Sequence, residues 1–258
     1  MSGPAGEHFF SEVIDGSALR GVWHEPSKRK ARAILVISHG LNGERVDTHR
    51  LLVTAARTWS QAGFVTWRFD HRGCGLSDGE FFTSLPTFRA QDLQAVVSRA
   101  RLQHPKLPVV LLGFSDGCRS ALLAADEVNP DAVVLWSPIL QAAQASGEPC
   151  AIPPWQRHPY QSRAFVRPFL GHWLGHAYIR ETQAWNAPRV RPPILVLSGS
   201  EDADVVASIE TLLTAELVSR QVVVRAAGHL YASPEASAYL IRTTQAWLTD
   251  LMASQEPA

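Results

Sequence analysis

The chain has 258 residues, 46% of them hydrophobic and 19% charged, a balance that supports one main core and excludes collagenous and disordered classes. Its 24 Lys and Arg offset 24 Asp and Glu to a formal net charge of +0, so no footprint for nucleic acid or an anionic membrane is expected. The first residues carry neither a basic start nor an apolar stretch, and no apolar run approaches a membrane span, so the expectation is a soluble, cytoplasmic protein.

Residues 7–14 and 18–24 read as two strands joined by Asp15-Gly16, a hairpin signal. Lys28, Arg29, Lys30 and Arg32 follow as a solvated loop. The β-branched run Ala33-Ile34-Leu35-Val36-Ile37-Ser38 predicts a strand buried on both faces. A helix is expected over 47–62 from the spacing of Leu51, Leu52, Ala55 and Trp59, with Gly63 closing it. A strand at 64–69 leads to a helix within 85–102, whose apolar face is Leu93, Val96, Val97 and Ala100. Strands at 109–112 and 132–136 flank a third helix.

From 138 to 191 the strand rhythm fails, and Trp155, Tyr160, Phe165, Phe169, Trp173, Tyr178 and Trp185 accumulate among prolines. This segment reads as an inserted lid that splits a core of 1–137 and 192–258. Strands at 194–198 and 221–225 and an amphipathic helix over 233–252 complete the chain. The alternation predicts an α/β fold: a mostly parallel sheet with helices on both faces.

Between the strand at 109–112 and its following helix lies Gly113-Phe114-Ser115-Asp116-Gly117. A strand turning abruptly into a helix presents its pivot side chain at the helix start, and small residues two before and two after relieve the crowding. That register singles out Ser115 rather than Asp116 as the nucleophile. Upstream, the loop Ser38-His39-Gly40-Leu41-Asn42-Gly43 offers the Leu41 N–H as one oxyanion donor, and the Asp116 N–H is the second. Downstream, Gly199-Ser200-Glu201-Asp202-Ala203-Asp204 crowds three carboxylates after a strand. Asp202 is the first choice for the triad acid, Asp204 is the reserve or a helix cap, and Glu201 is read as solvated. His229, in the loop after the last strand, completes the order Ser115, Asp202, His229 as general base.

The run Phe69-Asp70-His71-Arg72-Gly73-Cys74-Gly75-Leu76-Ser77-Asp78-Gly79, with the His39-Gly40 loop and the Ser115 elbow, resembles the α/β hydrolase superfamily. The similarity is to its small bacterial cinnamoyl/feruloyl-esterase-like and serine-aminopeptidase-like branch. The resemblance implies an α/β-hydrolase fold and a scaffolding role for Asp70 and Arg72. It departs in having Phe114 before the serine and Gly117-Cys118 where the family usually carries two glycines.

Lids of this superfamily set substrate choice, so Trp155, Trp173 and Tyr178 are the candidate substrate-binding residues, favouring an apolar or aromatic acyl group. Arg157, Arg163, Arg167 and Arg180 leave room for a carboxylate or phosphate, for instance of an acyl-carrier or coenzyme moiety. His172 and His176 would share a helix face and could hold a metal, yet no third ligand is visible, and packing or pocket lining is the preferred reading. Neither a metal nor a cofactor is called for. Cys74, Cys118 and Cys150 are odd in number and widely spaced, as reduced thiols would be.

The expected reaction is cleavage of a small-molecule ester through an acyl-enzyme on Ser115. The alternatives are a thioesterase or acyltransferase with the same triad, peptide or amide cleavage, and a non-catalytic binding protein of the same fold. A serine pivot disfavours haloalkane dehalogenation.

Overall fold

A tight hairpin opens the sheet: β1 (Glu7–Ile14) and β2 (Ser17–His24) pair antiparallel. Asp15 and Gly16 both take positive φ, 49° and 77°, as the turn that matches strand twist demands. The computed structural model describes residues 6–26, 29–141 and 154–255. Lys28, Cys150 and the stretch 142–153 of the expected insertion lie outside the described residues.

Strands β3 (Ala33–Ser38), β4 (Phe64–Phe69), β5 (Val109–Phe114) and β6 (Ala132–Trp136) follow, each buried along its whole length. With β10 (Ile194–Gly199) and β11 (Arg220–Val224) they complete an eight-stranded sheet of order β1-β2-β4-β3-β5-β6-β10-β11. Only β2 runs against the common direction.

Side chains that alternate along each strand divide into two cores. Ile34, Val36, Val109 and Leu111 face α2 (Pro86–Gln103) and α3 (Gly117–Val128), with α5 (Val206–Thr214) on the same side. Leu35, Ile37, Val110 and Leu112 face α1 (Leu51–Gln61) and α6 (Pro234–Gln255). Two indoles stitch the second layer. Trp59 donates its ring N–H to the Ile241 carbonyl at 3.1 Å, and Trp136 donates to the Thr244 hydroxyl at 3.0 Å. This is the α/β architecture expected from the sequence, and among the described residues no helix is long and apolar enough to cross a membrane.

Two expectations change. Helix α1 starts at Leu51, because Asp47 takes the Thr48 N–H at 2.6 Å and His49 and Arg50 sit at φ 52° and 61° in a 3₁₀ turn. A side chain that satisfies the backbone locally competes with the helix. The stretch between β6 and β10, expected to lack strands, holds a three-stranded antiparallel sheet. It comprises β7 (Gln156–Arg157), β8 (Phe165–Phe169) and β9 (His172–Gly175), followed by α4 (His176–Gln183). Cys74, Phe81, Leu174 and Tyr178 form a small separate core beneath it.

Truncation should reveal the difference between layers and surface. Leu111→Ala, in a fully buried strand, is expected to lose about 2–5 kcal/mol of unfolding free energy, whereas Leu102→Ala, at a side chain 84% exposed, should change it by less than about 0.5 kcal/mol in urea titrations.

Candidate active site

Ser115 sits between β5 and α3 at φ 56°, a left-handed conformation that costs a non-glycine residue on the order of 1–3 kcal/mol. The surrounding backbone holds it there. Ser115 donates its N–H to the Trp136 carbonyl at 2.8 Å, and its own carbonyl accepts from Cys118 N–H at 3.1 Å and Ile139 N–H at 3.2 Å. A Cβ on Gly113 would run into the Cys118 backbone, and one on Gly117 into the Ser38 carbonyl. The two glycines flanking the pivot are therefore required by contact.

The structure brings Ser115, His229 and Asp202 together from the C-terminal ends of β5, β11 and β10. His229 Nε2 lies 2.9 Å from Ser115 Oγ, and His229 Nδ1 lies 2.9 Å from Asp202 Oδ2. A carboxylate only accepts, so Nδ1 carries the ring proton and Nε2 is left to accept the Ser115 hydroxyl. Asp202 is buried and His229 half-buried, with the Phe114 ring stacked beside the imidazole at 5.9 Å. Glu201 is exposed, and Asp204 is exposed at the cavity wall.

Two backbone N–H groups flank Ser115. No hydrogen bond within the described residues takes the Leu41 or the Asp116 N–H. Their direction follows from the carbonyls on the other side of each peptide, since C=O and N–H point oppositely in a planar trans unit. The Gly40 carbonyl accepts from buried His39 Nδ1 at 2.8 Å and buried Arg89 at 3.0 Å, and from the Gly43 N–H of its own loop at 3.2 Å. The His39 tautomer is settled by His71 N–H, which donates to Nε2 at 3.1 Å. Burial, with His71 and Arg89 nearby, pushes the His39 pKa well down, so this ring is neutral. The Ser115 carbonyl is anchored as described above, which turns the Asp116 N–H the other way.

The Asp116 carboxylate is taken up in the interior by Arg89 at 2.7 Å, by Arg119 and by the Tyr178 hydroxyl. Burial alone would raise its pKa, but Arg119 and Arg89, with the Tyr178 hydroxyl, hold it below the usual carboxylate range. Asp70 ties the two neighbouring loops, accepting from Arg45 N–H at 2.7 Å and Leu76 N–H at 2.9 Å, while Arg72 pairs with buried Asp92 at 2.6 Å. Neither Asp70 nor Arg72 lines the cavity.

The cavity over Ser115 measures about 740 Å³, within the range of small-molecule sites. Its apolar wall includes Leu41, Phe114, Ile139, Phe169, Leu174 and Ile179. Of the three aromatic residues singled out in the insertion, Tyr178 lines the cavity, and Trp155 and Trp173 lie outside its lining. Trp155 packs on His176 and beneath the Arg167 guanidinium, and Trp173 packs on His158. Of the four arginines singled out in this segment, only Arg167 reaches the cavity. His172 and His176 share no helix face, because His172 lies on β9 and stacks on Phe81 while His176 begins α4. The Cys118 thiol is buried against the Gly113 carbonyl and its pKa is pushed up by burial, which leaves it no nucleophile's role.

Sequence reading missed Arg89 and Asp47. An arginine within a helix reads as solvated, and the one signal was that Asp116, beside the pivot serine, would need a counter-charge.

Residues 29–183, more than half of the chain, match the serine aminopeptidase, S33 family. The chain belongs to that family. This S33 member is 29% identical over 119 residues to the monoacylglycerol lipase of Mycolicibacterium smegmatis, covering 45% of this chain and 40% of that one. It is 34% identical over 116 residues to a monoglyceride lipase homolog of Monkeypox virus, covering 43% and 40%. The match thus spans about two fifths of each relative's length. Est1E from Butyrivibrio proteoclasticus, solved with ferulic acid, superposes with a TM-score of 0.76 at 21% identity, covering 95% of this chain and 99% of that one. XC6422 from Xanthomonas campestris, described as an α/β serine hydrolase without a lid, gives 0.66 at 20% identity over 99% and 97%. The S33 chain thereby has the α/β-hydrolase fold.

Asp47, on the cavity wall, has a buried Oδ2 with no hydrogen-bond partner among the described residues. Burial pushes its pKa up to about 6, against the hydrogen bonds it accepts from Thr48. The folded state holds this proton more tightly than the unfolded chain, so stability falls as pH rises from about 4 to about 6 and stays lowered above. Asp47→Asn should therefore gain on the order of 1 kcal/mol over wild type in denaturant titrations at pH 8 and nothing at pH 4.

Proposed function

We propose that the chain is a serine esterase that cleaves a carboxylic ester with an apolar or aromatic acyl group. The observation that carries this reading is the relay from Ser115 through His229 to Asp202, three residues on three separate loops at one edge of the sheet. Ser115 Oγ attacks the ester carbonyl while His229 Nε2 takes its proton; the Leu41 and Asp116 N–H groups receive the developing oxyanion. The protonated imidazole is balanced by Asp202 and gives its proton to the leaving alkoxide as the C–O bond breaks. Water, deprotonated by the same imidazole, then releases the acid and restores Ser115.

The apolar wall suits the acyl chain, and the region between β6 and β10 acts as the lid that shapes it, contributing Phe169, Leu174, Tyr178 and Ile179. The monoacylglycerol lipase among the relatives supports a glycerol ester of a fatty acid as substrate class.

Ser115→Ala is expected to abolish turnover of short p-nitrophenyl esters and of a monoacylglycerol, together with labelling by a fluorophosphonate; labelling that survives in Ser115→Ala overturns the assignment. Asp202→Asn should lower kcat by roughly 10²–10⁴-fold, far more than Asp204→Asn, and the reverse ranking would transfer the acid role to Asp204.

A further inference from the structure

Behind the two backbone donors lies a cluster of charge that no step of the ester reaction uses directly. Arg89 on α2 is fully buried, Arg119 on α3 is 1% exposed and Asp116 is 3% exposed. Arg89 spends one nitrogen, Nη1, on Asp116 and the other, Nη2, on the carbonyls of Gly40 at 3.0 Å and Leu41 at 3.3 Å. Arg119 pairs with the other oxygen of Asp116, and also donates to the Leu140 carbonyl at 2.9 Å and to the Tyr178 hydroxyl at 2.9 Å. Tyr178 in turn donates to Asp116. Three elements thus meet on one carboxylate, α2, the elbow with α3, and α4 of the inserted segment, and Arg89 ties the loop after β3 to them.

Two consequences follow from the chemistry of these groups. The first is geometric. A planar guanidinium reaches Asp116 with one nitrogen and the Gly40 carbonyl with the other, and so joins His39 Nδ1 and the Gly43 N–H in holding the plane of the peptide whose N–H is Leu41's. The second is electrostatic. Two guanidiniums against one carboxylate leave a formal charge of +1 in a buried layer beside the place where an oxyanion would form, and the nearby His39 and His71 are both neutral. Asp116 alone would oppose an oxyanion; between two arginines it does not.

We propose that Arg89 is a positioning residue for the oxyanion site, which aligns the Leu41 N–H through the Gly40 carbonyl and, with Arg119, makes the charge behind both donors net positive. Tyr178 extends the clamp into the inserted segment, so the docking of α4 and the alignment of the donors are coupled. The inference rests on the esterase reading of Ser115.

The test compares Arg89→Lys with wild type on a short p-nitrophenyl ester, counting active sites by fluorophosphonate titration. Lysine keeps the charge for Asp116 but cannot bridge both partners. The expected result is a kcat per titrated site lowered about 10–100-fold, part of the roughly 10²–10³ seen when a donor is deleted, with KM within about threefold. Inhibition by a trifluoromethyl ketone, whose carbonyl takes up Ser115 Oγ and places its oxygen as an oxyanion, should weaken in the same proportion. A lower melting temperature with wild-type kcat per site and unchanged inhibition would overturn the proposal. Should Arg89→Lys fail to fold, Tyr178→Phe, which removes only the hydroxyl at Asp116, should lower kcat and inhibition together by about 3–10-fold; wild-type values there also overturn it. Absence of any Ser115-dependent turnover or labelling in the wild type would overturn the esterase reading itself, an outcome distinct from normal turnover with no response at Arg89.

Discussion

The left-handed turn at Ser115 is the constraint on which the rest of the molecule depends. A serine at φ 56° does not persist in an isolated peptide; it persists here because β5 is buried on both faces and α3 is packed into one of the two cores, so that the turn between them has nowhere to relax. The same rigidity sets the position of Oγ relative to imidazole and carboxylate that come from β11 and β10. Parallel strands in register end together, and loops that leave those ends converge over one edge.

A second ordering principle acts through peptide planes rather than side chains. At both sides of Ser115 a carbonyl is tied down, Gly40 by His39, Arg89 and the Gly43 N–H, and Ser115 by Cys118 and Ile139. Each tie leaves, beside Ser115, an N–H with no acceptor among the described residues. Backbone groups with no acceptor are expensive when buried and useful at a cavity wall, where a bound oxygen can complete them.

How much of this could be read from the chain varies with the physics of each part. The central strands are runs such as Ile34-Leu35-Val36-Ile37, where burial on both faces removes alternation and leaves only apolar continuity, and these were plain. The loops bearing Leu41, Ser115, Asp202 and His229 were also visible, because strand ends and glycines mark them. The small sheet in the insertion was not, since its strands of two to five residues are too short to show a period. Aromatic density there suggested a pocket lining, yet Trp155 and Trp173 spend their rings on His176 and His158 within the insertion itself. Arg89 escaped notice because its partners, Asp116 and the Gly40 carbonyl, stand 27 and 49 positions away and meet it only after the sheet has closed.

The inserted segment also has a topological meaning. It occupies the crossover between β6 and β10, neighbours that pair in parallel from Val133 with Ile194 to Trp136 with Leu197, so the chain must in any case leave the top of one strand and return to the bottom of the next. Lengthening such a path costs little loop-closure entropy and disturbs no strand register. The fold therefore presents the segment that supplies Phe169, Leu174, Tyr178 and Ile179 to the cavity wall as an exchangeable module, free to drift or be grafted while the sheet beneath keeps its register. Tyr178 is the exception: a replacement module that lacked a hydroxyl for Asp116 would break the hydrogen bond that joins the insertion to the elbow.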